Sequence, residues 1–292
     1  MKILVTGATG QLGAKVVETL LETVPAERIA ASVRSPEKAQ ALRDRGVDVR
    51  QGDFDDPASL DAAFAGIDKI LIVSTQGDND TRIRQHQAAV DAAKRAGVKF
   101  IAYTSVSHAD TSSLFLAPVH KATEEAIRAT GIPYSFLRNN WYIENEIGSI
   151  QGALAGAPIV TSAGAGRVGW ASRDDYARAA AAVLAGEGHE NTIYELAGAP
   201  ATTEDFAAAL SRALGREVPV QHVDDATYGT IMAGAGVPDF VVPILVAIQS
   251  AIREGTLDVS SGDFAKLLGR PPASLEEALP SIVAGVKAAG TQ

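Results

Sequence analysis

The stretch Thr6-Gly7-Ala8-Thr9-Gly10-Gln11-Leu12-Gly13 constrains this chain more than any other. It follows an apolar run at residues 2–6 and opens a segment, 11–23, with Leu12, Val16, Val17 and Leu20 at helical spacing. Glycines spaced G-x-x-G-x-x-G at a first strand-to-helix turn are those of a dinucleotide site. Gly7 permits the tight turn, Gly10 lets backbone approach a pyrophosphate, and Gly13 allows close helix–sheet packing. The helix start then offers free N–H groups and the positive end of a dipole to the phosphates. Gly7, Ala8, Thr9, Gly10, Gln11, Leu12 and Gly13 are therefore the expected cofactor cradle.

The rest of the first half keeps the same rhythm. Apolar runs at 29–33, 47–51, 69–74, 99–104 and 134–138 read as strands. Helical segments at 36–45, 57–65, 80–96 and 118–130 lie between them, three of the four closed by Gly46, Gly97 and Gly131. Strands apolar almost throughout, alternating with helices, predict a parallel sheet covered on both faces, hence an α/β fold with a doubly wound (Rossmann) sheet. After Trp141 the pattern changes. Residues 152–168 are rich in Gly and Ala, as loops and short strands are; 174–185 reads as a helix and 192–196 as a returning strand. From Pro200 the chain reads as mostly helical, a smaller C-terminal lobe. The strongly apolar stretch 238–252 is expected to be buried in its own core, with a pocket cover or a subunit contact as the alternatives. The expected division is a dinucleotide domain of 1–140 plus 171–198, and a substrate-side lobe of 141–170 plus 199–292.

Composition removes several function classes. With 26 basic and 35 acidic side chains the net charge is -9, which argues against nucleic acid or an anionic membrane as partner. No cysteine means no disulfide, thiolate metal site or thiol nucleophile. The five histidines show no i, i+4 pair and no H-E-x-x-H, so no metal is expected, and G-x-S-x-G is absent. No stretch reaches the ~18 apolar residues of a membrane span, and the chain runs straight into its first strand pattern without a signal peptide. The expected location is the cytoplasm and the expected partner a small molecule.

The second strand ends Ala31-Ser32-Val33-Arg34-Ser35. An NAD site usually carries a carboxylate there for the ribose hydroxyl. Arg34 would instead pair with a 2′-phosphate, assisted by Lys38, so NADPH is the expected cofactor. Asp53 and Phe54 follow the third strand, where Asp53 can reach the adenine amino group. Ser74, Thr75 and Gln76 end the fourth strand, and Thr104 and Ser105 the fifth, at the carboxyl edge where doubly wound sheets bind ligands. Each of these is equally compatible with plain loop chemistry. Asn139, Asn140, Trp141 and Tyr142 sit just past another strand: the two amides can hold a nicotinamide carboxamide, and the aromatics can wall an acceptor slot. His120-Lys121 begins a helix beside the pocket mouth, where either can supply a proton or serve as a capping or solvated pair. His108 either touches substrate or makes a loop contact.

One absence narrows the chemistry. Short-chain reductases that make alcohols use a tyrosine with a lysine four residues later, which lowers the tyrosine pKa. None of the six tyrosines here has that partner. A ketone given a hydride becomes a strongly basic alkoxide and needs an acid at hand. A quinone becomes a phenolate-type anion, whose conjugate acid has a pKa of about 10, so water suffices. A cationic dye becomes neutral and needs no proton.

Residues 6–17, the segment 100–110 with Tyr103-Thr104-Ser105 and His108-Ala109-Asp110, and Leu137-Arg138-Asn139-Asn140-Trp141-Tyr142-Ile143-Glu144-Asn145 resemble the NmrA-like atypical short-chain reductases. Within that family the resemblance is greatest to the type-2 NAD(P)H:quinone oxidoreductases and the triphenylmethane reductases. Gly188-His189-Glu190, residues 194–198 and residues 267–271 resemble them too. The resemblance implies a flavin-free reductase in which hydride passes directly from NADPH to a conjugated acceptor, and an assembly as a small oligomer, a homodimer being expected. It also implies a cofactor site built from residues 7–12, Arg34, 74–76 and 139–144, with Trp170 where the family closes over the nicotinamide. A tryptophan is not the expected residue there. Lys121 resembles the catalytic lysine of some atypical reductases. Two other activities fit the same residues: a redox sensor that binds NADP(H) without turnover, and a carbonyl or imine reductase using Lys121, His120 or Tyr142 as acid.

Overall fold

A seven-stranded sheet organises the molecule, a computed structural model that describes residues 1–289. Its strands are β1 (Ile3–Thr6), β2 (Ile29–Val33), β3 (Asp48–Gln51), β4 (Lys69–Ile72), β5 (Phe100–Val106), β6 (Tyr134–Asn139) and, after an excursion, β10 (Thr192–Leu196). Their order is β10-β6-β5-β4-β1-β2-β3, and every pair is parallel. β1, β2 and β5 are buried along their whole length, which is why their sequences run apolar instead of alternating.

Helices cover both faces. On one lie α1 (Gln11–Leu21) and α7 (Arg173–Ala185); their Val16, Val17, Leu20, Ala177 and Ala180 pack on Val5, Ala31 and Leu71. On the other lie α3 (Pro57–Phe64), α4 (Asn79–Arg95) and α5 (Ala117–Thr130), packed on Leu4, Ile70, Ile101 and Phe136. Segment 36–45 forms in two pieces, a 3-10 turn at Pro36–Ala39 and then α2 (Gln40–Asp44). The expected Rossmann architecture is present, with β10 returning to the sheet beside β6.

A second core lies beyond the carboxyl edge. It gathers the short strand β7 (Trp141–Tyr142), α6 (Ile147–Leu154), β8 (Ile159–Thr161), β9 (Trp170–Ala171), α8 (Thr203–Leu214) and β11 (Val220–His222). The helices α9 (Asp225–Gly234), α10 (Val242–Arg253), α11 (Asp263–Leu268) and α12 (Leu275–Ala289) complete the chain's described part. Thr202 caps α8 with a reciprocal capping box to Asp205. Phe264 of α11 packs into the sheet's first core, while Leu279 and Val283 of α12 pack into the second.

The stretch 238–252 departs from expectation. Only Ala251 and Ile252 of α10 are buried, the rest of its apolar side chains are half-buried or exposed, and Phe240 is 77% exposed. The helix packs mainly against α9, so one side alone is covered. Among the described residues no helix is long and apolar enough to cross a membrane.

Candidate active site

The sheet changes winding direction between β1 and β4, and a crevice opens there at the carboxyl ends of the strands. Gly7 adopts φ +59°, the left-handed conformation the turn requires. Gly10 is the N-cap of α1 and makes no side-chain cap; its N–H donates to Gly7 O at 2.8 Å. The N–H groups of Gln11, Leu12 and Gly13 are left without a backbone acceptor and face the mouth of the turn. A Cβ on Gly13 would lie 2.3 Å from Gly7 O, so only glycine permits this approach of helix to loop.

Across the crevice, the chain leaving β4 is pinned by its neighbours. Val73 N–H donates to Thr6 Oγ1 at 2.9 Å, Ser74 N–H to Thr104 Oγ1 at 2.9 Å, and Thr75 N–H to His86 Nε2 at 2.9 Å. Thr104 is thus committed to holding the loop, and its hydroxyl is buried within the sheet. Ser74, Thr75 and Gln76 keep part of their surface open. The motif reading gave no role to the Thr6 hydroxyl, which heads the glycine stretch, or to His86, whose helix is far from this loop in sequence.

Beneath this loop is a buried polar cluster that links α4, α5 and β5. Arg82 is 5% exposed and meets no carboxylate; it donates to Ser74 Oγ at 2.8 Å and approaches His120 Nε2 at 3.4 Å. His120 Nδ1 meets the Tyr103 hydroxyl at 2.9 Å. His86 accepts from Thr75 N–H, which fixes its own hydrogen on Nδ1, where Thr123 Oγ1 lies at 2.9 Å. Burial, with Arg82 close by, lowers the His86 pKa to about 3 and that of His120 well below the ordinary value, so both are neutral. Both ring nitrogens of His120 are occupied inside the core, and Lys121, the next residue, points to solvent. The structure therefore separates the two residues expected together as proton donors.

The adenosine side is open. Arg34, at the end of β2, is exposed and forms no ion pair, with Lys38 exposed nearby. Asp53 is half-buried and its carboxylate accepts from Asp55 N–H, while the Phe54 ring belongs to the second-face core.

At the other end of the edge, β6 delivers Asn139 and Asn140. Both are buried; Asn139 Nδ2 donates to the Tyr142 hydroxyl at 3.0 Å and Asn140 Nδ2 to Leu257 O at 3.2 Å. Their Oδ1 atoms are buried without a partner. Below them Arg138 binds Glu124, Glu195 and Asp110, and Ser105 donates to the same Glu124 at 2.7 Å, so Ser105 serves this network. His108 takes φ 51°, rare for a side-chain-bearing residue; its N–H meets the Glu195 carboxylate while its ring is half exposed at the edge.

β7 and β9 pair in parallel with Trp141 opposite Trp170. Neighbouring residues on a strand face opposite ways. Tyr142 turns to the first core, where it meets Tyr176 edge-on at 4.8 Å, with the Arg173 guanidinium 5.2 Å from its ring. Burial raises its pKa. Trp141 and Trp170 turn to the other lobe and donate to the same atom, Glu146 Oε1, at 3.1 and 3.2 Å. Trp170 is 7% exposed and tilted against Phe206 at 5.2 Å; Trp141 is half-buried. Sequence reading missed Glu146: it lies five residues past Trp141, and only the β7–β9 register brings both indoles to it.

The chain can now be set beside known proteins. Residues 1–277 match the model of the NmrA-like family. Quinone oxidoreductase 2 of Escherichia coli (strain K12) is 44% identical over 278 residues, 95% of this chain and 97% of that protein. The structure of Citrobacter sp. triphenylmethane reductase complexed with NADP(H) superposes with a TM-score of 0.92 at 44% identity, covering 96% of this chain and 99% of the other. That of the E. coli NADPH-dependent quinone oxidoreductase complexed with NADPH gives 0.91 at 43%, with coverages of 96% and 99%. The glycine turn, the winding of the sheet and the full-length match agree: this chain belongs to the NmrA-like family.

Proposed function

We propose that this chain is an NADPH-dependent oxidoreductase that passes hydride directly to a quinone-like or triphenylmethane-dye-like acceptor. The observation that carries it is the pair of buried, partnerless amide oxygens of Asn139 and Asn140 at the end of β6. They lie on the same carboxyl edge as the free N–H groups of α1, three strand spacings away, roughly 14 Å. A buried acceptor without a donor carries a penalty that a bound carboxamide N–H would relieve. The residues therefore fit the cofactor from end to end: Arg34 and Lys38 for a 2′-phosphate, Gln11–Gly13 for the pyrophosphate, and Asn139 and Asn140 for the nicotinamide amide. When bound, NADPH supplies a hydride.

The protein's own contribution is positional. Thr6, Thr104 and His86 hold residues 73–75 against the crevice, and Tyr142 fixes the Asn139 amide. Trp141, Trp170 and His108 border the acceptor side, in a lobe built from 141–170 and 199–292. Neither His120, spent on Arg82 and Tyr103, nor Lys121, in solvent, is placed as an acid. This supports acceptors that take hydride without an obligatory proton. The names of the two reductases above agree with that reading, and we assign this chain to small-molecule chemistry as a cytoplasmic homodimer.

The test is NADPH oxidation followed at 340 nm with flavin-free protein, offered a benzoquinone, a naphthoquinone, a triphenylmethane dye and simple ketones in turn. Turnover of the quinones or the dye, but not the ketones, is expected. Tight NADPH binding with no turnover on any of them would instead make the chain a sensor.

A further inference from the structure

We infer that Glu146, held by Trp141 and Trp170, is a specificity determinant that favours flat, delocalised organic cations over neutral quinones as acceptors. This rests on the proposed hydride transfer and narrows its substrate class. Both indole N–H groups converge on Oε1, which fixes the carboxylate. Among the described residues nothing donates to Oε2, and Glu146 as a whole is half-buried. No ion pair with it is formed among the described residues. Tyr228 of α9, 7% exposed, feels its charge: burial and Glu146 push that phenol up to about 12. Burial likewise raises the Glu146 pKa, but the two indole bonds favour the charged form. The carboxylate stands beside two indoles in the acceptor lobe with no cation bonded to it among the described residues, two residues after the Glu144 that accepts the N–H of Arg173 at the start of α7.

Aromatic faces beside a carboxylate recognise an organic cation through ring quadrupoles and the charge together. A neutral quinone gains nothing from the charge, and its reduced anion is repelled by it. For a cationic acceptor the bookkeeping closes without a proton. A C–H bond forms at its electron-poor carbon, its charge is lost, and NADPH becomes NADP+. Because the charge fades as hydride arrives, Glu146 binds the substrate more strongly than the transition state or the product. Removing it therefore raises KM and lowers kcat/KM by less than it weakens binding.

The chain's two tryptophans are the two that bind Glu146, so tryptophan emission, excited selectively over the six tyrosines, reports this site. NADPH-free protein is titrated with crystal violet and with a neutral naphthoquinone, emission being corrected for dye absorbance; the same acceptors are then assayed with NADPH. Glu146→Gln keeps an oxygen for the indoles and removes the charge. It is expected to weaken dye quenching about tenfold and to lower the dye-to-quinone ratio of kcat/KM by a smaller factor, through a raised KM. Glu146→Asp should recover part of the loss, and added salt should weaken dye binding in the parent but not in the glutamine variant. Equal losses for dye and quinone, or unchanged dye quenching in a glutamine variant that melts like the parent, would overturn the inference. Absence of any turnover would count against the hydride-transfer reading alone, since quenching still judges Glu146.

Discussion

Replacing Gly13 by alanine isolates the geometry on which the cofactor assignment depends. Inside a helix Gly→Ala should stabilise by about 1 kcal/mol through backbone entropy. At Gly13 the new Cβ would sit 2.3 Å from Gly7 O, 2.9 Å from Gly7 C and 3.2 Å from Ala8 Cα. All three are backbone atoms of a turn closed by the Gly10–Gly7 hydrogen bond, so no side chain can swing away. A normal C···O contact is restored only if α1 withdraws by about 1 Å, an overpacking cost of about 1–3 kcal/mol or more. The net expectation is a loss of about 2 kcal/mol, or about 3 °C in melting temperature for a chain this long. Withdrawal also carries the N–H groups of Gln11 and Leu12 away from the phosphate position. Losing one charge-assisted bond, about 1.5–3 kcal/mol, raises the NADPH Kd about 10- to 100-fold. Gly285→Ala in α12 is the control: nothing lies within 4 Å of its Cβ, so it should stabilise and leave Kd alone. Thermal melts and calorimetric titration with NADPH read both effects. A Gly13→Ala protein that melts like the parent would refute the packing argument; one that is destabilised but binds NADPH unchanged would refute the phosphate assignment.

Arg34→Ala should weaken NADPH about tenfold while leaving NADH nearly untouched, since its exposed guanidinium is in no ion pair among the described residues and acts only through solvent-screened attraction to Asp55; equal effects on both dinucleotides would remove Arg34 from the 2′-phosphate site. Acid should cost stability earlier than carboxylate titration explains. His86 and His120 are depressed when folded and near 6.5 when unfolded, so below pH 6.5 the unfolded chain binds more protons and stability falls as pH falls. Two such groups remove about 2.5 kcal/mol between pH 7 and 5.5, and His86→Gln should halve that slope in urea unfolding; an unaltered slope would mean that His86 is not held neutral. Arg138→Met strands Glu124, whose side chain is 2% exposed, and should cost about 3 kcal/mol, the lower end of the range for a broken buried pair, because Arg128 remains 3.3 Å away. A loss under about 1 kcal/mol would show that Arg128 carries the charge unaided.

What the sequence made legible divides by the range of the interaction. The sheet and the glycine cradle rest on local signals: apolar runs, a helical repeat at Leu12, Val16 and Leu20, and glycines at one turn. Arg34 was readable because its place relative to β2 follows from that count. The roles that escaped notice are set by contacts far apart in sequence. Thr104 was expected at the cofactor and Thr6 only headed the glycine stretch; both hydroxyls instead accept from the N–H groups freed where β4 peels away between them. His120 and Lys121 looked equivalent because adjacent residues carry no sign of which one the helix turns inward; α5 turned the histidine to Tyr103 and the lysine to water. The stretch 238–252 was apolar enough for a core, yet hydrophobicity does not say how many neighbours arrive, and α10 has α9 on one side only. Glu146 is the extreme case. Its two partners lie 5 and 24 residues away on strands of two residues each, so its meaning depends wholly on the register that sets Trp141 beside Trp170. Where a local pattern fixes a cofactor's place and long-range register fixes what surrounds the acceptor, reading the first says which electron donor is used, while the acceptor is decided by the second.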